Sequence, residues 1–175
     1  MKTEANIWRL LLLVFLILYA VFLLNSGFVV IQWDEMAHLR GGQLLSLGRF
    51  ADYVSDYGYY PPLYDFMTSG YFTIFGVSAE VGRYAALTFA VLAIWLVFEF
   101  AYRSYDAKTA LVSAILLGAM PGFFWVSRFA LLESSLVFFF TLTLFFFFSW
   151  IRDDKNKAHI HIPVIVAWFR IAKLL

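Results

Sequence analysis

Three groups of residues stand where their chemistry would matter. The first is Asp34-Glu35, adjacent acids that directly follow an apolar run ending at Ile31. A carboxylate held at the mouth of a membrane span can orient or deprotonate a hydroxyl if burial raises its pKa. The same pair can also simply end a span in the polar interface. The second is His38, four residues beyond Asp34 and on its side of a helix if Glu35 onward is helical. It can be a satisfied interface histidine, a metal ligand or a proton shuttle. The third comprises Arg83, Arg128 and Glu133, each at the end of an apolar segment. Arg83 can snorkel or meet a phosphate. Ionisable groups at that depth usually face a cavity rather than lipid. Arg128 and Glu133 lie five residues apart, which is not an i,i+4 pair, so structural pairing and substrate binding both stay open. His159 and His161, two apart with no thiolate or acid close by, carry only a weak metal signal.

The elements that must hold these residues follow from composition. Apolar residues make up 63% of the 175, charged residues only 14%, and no cysteine is present. Soluble domains carry about 25% charged residues, so this chain has too little polar surface to cover a water-soluble body. The lack of cysteine excludes a disulfide scaffold, a thiolate metal site and a cysteine nucleophile. A net charge of +1 argues against nucleic acid as a partner. The reading is an all-α, polytopic membrane protein in one membrane domain.

Its spans are expected at residues 7–31, 84–102, 109–127 and 129–151, with 160–175 either interfacial or part of a fifth. Lys2 and Arg9 before the first run also fit a signal peptide. That run is too long for one, however, and Asn25-Ser26-Gly27 is a poor cleavage site. Placing the amino terminus in the cytoplasm puts Lys2, Arg9, Arg103, Lys108, Arg152, Lys155 and Lys157 inside. Residues 32–82, with Asp34, Glu35, Asp52, Asp56, Asp65 and Glu80, then lie outside the cell membrane.

That outer segment is too long and too aromatic for an idle loop. Met36, Leu39, Leu44 and Leu47 recur at helical spacing, with Gly41-Gly42 weakening the pattern and Gly48 able to end it. Pro61-Pro62 opens a second helix over Leu63 to Phe75, closed by Gly76. Two helices lying on the outer membrane surface are expected, their tyrosines at interface depth and their apolar sides against lipid or the spans.

In this order, WDEMAH, YYPPLYDFMTSGYFTIFGVSAEVGRYAA and MPGFFWVSRFALLESSLVFFF resemble the amino-terminal part of the GT-C membrane glycosyltransferases. The similar branches are the dolichyl-phosphate-mannose–protein mannosyltransferases and the undecaprenyl-phosphate-aminoarabinose transferases. The resemblance implies transfer of a sugar from a polyprenyl phosphate to a protein or lipid/glycan acceptor on the outer face, usually with inversion. It makes Asp34 the acceptor-side catalytic residue and Glu35 its companion. Tyr60 stands before Pro61-Pro62-Leu63, where the aminoarabinose branch often has a basic residue. Arg83 matches a recurrent arginine, and Glu133 takes a place often held by Asp. With His38, Asp65 and Arg128, these residues form the expected substrate-binding set. No cofactor is implied, although a divalent metal stays open. Such enzymes are longer and have more spans, so a fragment, a truncated product or one piece of a split enzyme is expected, with a chain supplying later spans as a partner. The competing function is a noncatalytic membrane scaffold or an accessory piece of a split complex.

Overall fold

The computed structural model describes residues 2–25 and 31–152, and every regular element in them is a helix. The helices are α1 (Lys2–Leu24), α2 (Trp33–Ser46), α3 (Phe50–Tyr57), α4 (Pro62–Phe75), α5 (Ala79–Ser104), α6 (Ala107–Ala119), α7 (Pro121–Val126) and α8 (Glu133–Arg152). Three of them carry stretches long and apolar enough to cross a membrane, as in a multi-pass membrane protein: Asn6–Leu24, Ala79–Ser104 and Glu133–Ile151. The Ala107–Ala119 helix is apolar but shorter. The expected segment at 160–175, with His159 and His161, lies outside the described residues.

α5 is the central helix. Burial reaches 56% along its apolar stretch, against 17% for α1 and 11% for α8, which leaves the outer faces of those two for lipid or further helices. Small residues let neighbours approach α5 closely. Ala90, Ala93, Ile94 and Ala101 pack with Leu12, Leu16, Ala110 and Ala114, while Ala85, Ala86 and Phe89 face Phe138, Phe139 and Leu132. Gly118 on α6 sits where a Cβ would lie 2.9 Å from the Phe15 ring, so α1 and α6 meet there. At the end away from α2, Arg9 Nη2 donates to Glu99 Oε1 at 3.2 Å, which sets α1 antiparallel to α5.

Local chemistry sets the helix ends. Ser78 caps α5 by accepting from the Val81 N–H, and Asp106 caps α6 by accepting from the Thr109 N–H at 2.9 Å. Those Thr109 hydrogen bonds hold the exposed Asp106 carboxyl below its ordinary range. Pro62 opens α4, and Gly76, at φ 87°, ends it.

Three differences from the sequence reading matter for the site. The stretch expected as one span at 109–127 is two helices, because Met120 before Pro121 is extended and α7 starts afresh. α8 begins at Glu133 rather than Phe129, leaving residues 127–132 as a turn. The outer segment holds three helices, α3 being the additional one.

Candidate functional site

α2 crosses α4 and approaches the start of α5, and the close crossing depends on Gly41 and Gly42. A Cβ on Gly41 would stand 2.9 Å from Asp65 Oδ2, and one on Gly42 would stand 2.7 Å from Thr68 Cγ2. The two glycines that weaken the helical pattern in the sequence are the points where α4 presses onto α2. α3 then folds beneath them and buries one side chain, Tyr53.

Asp34 and Glu35, one residue apart, meet opposite environments. Glu35 is fully buried. Arg83 holds it with two hydrogen bonds, Nε to Oε1 at 2.7 Å and Nη2 to Oε2 at 3.1 Å. The Ala130 N–H adds a third to Oε1 at 3.0 Å, and the Gln32 N–H reaches Oε2 at 3.4 Å. One carboxylate thus ties the start of α2, the start of α5 and the 127–132 turn together. The Arg83 guanidinium also lies over the Phe129 ring, 5.7 Å from its centroid. Asp34 occupies the first turn of the same helix but is exposed.

The Asp34 charge acts on Tyr60, a member of a second cluster. The His38 ring lies 4.8 Å from the Tyr60 ring and 5.2 Å, edge-on, from Tyr64. Its Nδ1 is 2.7 Å from Asp65 Oδ1, and both side chains are buried. The other Asp65 oxygen accepts from the Tyr53 hydroxyl at 2.9 Å. Burial, then the Asp65 charge and this hydrogen bond, push the Tyr53 phenol up from 10.0. Tyr60 is likewise pushed up, by burial, by Tyr59, and by the carboxylates of Asp34 and Asp65. Burial pushes up Tyr64 as well, reinforced by Asp65, Glu35 and Glu133. The Asp65 charge therefore bears on all three phenols, and the Asp34 charge on Tyr60.

The Tyr64 hydroxyl is buried with no hydrogen-bond partner among the described residues. The nearby Thr68 hydroxyl donates instead to the Tyr64 carbonyl, at 3.1 Å. Glu133 opens α8 and is exposed, close enough for its charge to act on Tyr64. Arg128 stands toward α7, its guanidinium 5.6 Å from the Phe124 ring centroid. Among the described residues no group of three or more His, Asp or Glu is arranged to hold a metal ion.

Of the residues singled out in the sequence, the structure gathers His38, Tyr60 and Asp65 into one cluster and joins Glu35 to Arg83, while Asp34 and Glu133 act on Tyr60 and Tyr64 through their charge and Arg128 stands by Phe124. Tyr53 and the Ala130 N–H complete these two groups, and neither was anticipated. Tyr53 had shown only as one of several interface tyrosines. A backbone donor leaves no mark in side-chain types.

The family model for dolichyl-phosphate-mannose-protein mannosyltransferase matches residues 60–173. The chain belongs to this family. The match covers the Pro61-Pro62 segment, Arg83 and the 127–133 region, whereas Asp34 and His38 precede it. No curated protein and no solved structure matches this mannosyltransferase-family chain.

Proposed function

We propose that the chain forms the acceptor-side part of a GT-C-type glycosyltransferase. It would move a sugar from a polyprenyl-phosphate donor to a protein or lipid/glycan acceptor on the outer face of the cell membrane. The observation carrying this reading is the division between Asp34 and Glu35. Glu35 is committed to Arg83 and Ala130, which fixes the start of α2. Asp34, the preceding residue on that turn, stays exposed, its charge acting on Tyr60.

In this reading α1, α5, the α6–α7 pair and α8 cross the membrane. The amino terminus, Arg9, Arg103 and Lys108 lie inside, and α2 to α4 lie outside. An outer site suits a lipid-linked donor, whose phosphate anchors at the interface while its sugar reaches Asp34. The acceptor oxygen attacks the anomeric carbon opposite the phosphate, and its proton passes to Asp34. The electrons of the broken carbon–oxygen bond leave with the phosphate, giving inversion without a covalent enzyme intermediate. Arg128 offers a cation on the same side for the departing phosphate. Glu35 and Arg83 hold this frame in place.

The test is sugar transfer from polyprenyl-phosphate-mannose, measured in membranes carrying the full protein. Asp34→Asn should lower turnover by about 10²–10⁴-fold, the usual contribution of a positioned base. Equal turnover by wild type and variant would remove Asp34 from the reaction.

A further inference from the structure

The proposed transfer leaves a proton on Asp34, and α2 carries a stronger type of base one turn further on. We propose that His38 and Asp65 form a proton relay, in which His38 Nε2 receives the proton that Asp34 takes from the acceptor hydroxyl. This deepens the glycosyltransfer reading and rests on Asp34 acting as its base.

Four observations support the relay. Asp34 and His38 are i,i+4 on α2 and so lie on one face. Asp65 fixes the imidazole: a carboxylate can only accept, so the 2.7 Å contact makes Nδ1 the donor and leaves the Nε2 lone pair free. Nε2 makes no hydrogen bond among the described residues. Asp65 itself accepts from the Tyr53 hydroxyl and packs against Gly41, while the Tyr60 and Tyr64 rings pack on the imidazole.

The charged groups around the ring are Asp65 behind it and Asp34 on its own helix, with Glu35 and Glu133 acting on the adjoining Tyr64. Arg83 is engaged by Glu35. Protonation of His38 therefore turns Asp65 from a buried carboxylate facing a neutral ring into half of a buried, hydrogen-bonded ion pair. The step balances. The acceptor O–H bond breaks as its oxygen joins the sugar carbon, and the phosphate leaves with the bonding electrons. The proton goes to Asp34 and then to Nε2, while Nδ1 keeps its own proton, still donated to the Asp65 carboxylate.

A histidine that merely fills space would respond differently from a relay. In the transfer assay His38→Ala should lower kcat by about 10²-fold with KM little changed, and added imidazole should recover about tenfold of that loss. Asp65→Asn should also lower kcat, but without imidazole rescue. Wild-type kcat in a folded His38→Ala variant, or a loss that ignores imidazole, overturns the relay. If Asp34→Asn is inactive while His38→Ala keeps its rate, only the relay falls. If Asp34→Asn transfers normally, the base assignment itself fails. Nitrogen-15 shifts of labelled histidine, assigned to His38 by their loss in His38→Ala, give a readout independent of turnover. The neutral ring should carry its proton on Nδ1, and an Nε2–H tautomer would overturn the relay.

Discussion

Removing Arg83 should damage the fold more than removing its partner's charge. Arg83→Met deletes the 2.7 and 3.1 Å hydrogen bonds and leaves the Glu35 carboxylate, fully buried, with only the Ala130 and Gln32 N–H groups. Stranding a buried charge in this way costs about 3–5 kcal/mol. Glu35→Gln keeps the volume and one acceptor for Ala130 but loses charge-assisted bonding, worth about 1.5–3 kcal/mol. Combining the two removes the stranded charge. The double variant should therefore be more stable than Arg83→Met alone, by about 1–2 kcal/mol. Denaturant titration in detergent, followed by far-ultraviolet circular dichroism, measures all three. Arg83→Met within about 0.5 kcal/mol of wild type would refute the buried anchor. A double variant less stable than Arg83→Met would refute the account of why the anchor matters.

Other consequences follow from particular contacts. Gly42→Ala places a Cβ 2.7 Å from Thr68 Cγ2 and should destabilise by about 1–3 kcal/mol. Thr68→Ser, which deletes that methyl and keeps the hydroxyl bond to the Tyr64 carbonyl, should recover much of the loss in the same titration; no recovery would mean that α2 and α4 do not cross there. Tyr64→Phe removes a buried hydroxyl with no hydrogen-bond partner among the described residues, so it should leave stability at neutral pH within about 1 kcal/mol of wild type. The folded chain holds the Tyr64 proton more tightly than the unfolded chain does. The resulting stability is intact below the ordinary phenol value of 10.0 and declines as pH rises through the higher folded value. Tyr64→Phe should flatten that alkaline decline, and an unchanged slope would contradict it. Asp34→Asn should also lower the pKa of Tyr60, followed spectroscopically against Tyr60→Phe, because the Asp34 charge helps to hold it up; an unchanged titration would contradict this.

The sequence revealed the helices through their runs and the neighbours through their spacing. The apolar run from Leu10, the alternation of basic and acidic connections, and the stops at Gly48 and Gly76 all rest on local chemistry. Asp34 and His38 were visible together because four residues make one helical turn. Pairings across long separations were not visible. Glu35 and Arg83 are 48 residues apart and His38 and Asp65 are 27 apart, so tertiary folding alone joins them. Gly41-Gly42 were misleading for a physical reason. A residue that weakens an isolated helix is what a close crossing requires, and only the position of α4 shows which effect governs. Pro121-Gly122 marks an interruption of the 109–127 run in the sequence, but the apolar run continues through it and hydropathy does not register a lost backbone donor, so the run still reads as one span. α3 escaped because eight residues with one buried side chain give little periodicity to read.

The central claim is that adjacent acids divide the work, Asp34 reacting and Glu35 holding the frame. Turnover of polyprenyl-phosphate-mannose per folded molecule, compared for Asp34→Asn and Glu35→Gln, tests it most directly. The account predicts that Asp34→Asn folds with wild-type stability yet loses about 10²-fold or more in kcat. Glu35→Gln, by contrast, should lose stability first and retain most of its turnover per folded molecule. The reverse pattern, a stable but inactive Glu35→Gln beside an active Asp34→Asn, would contradict it.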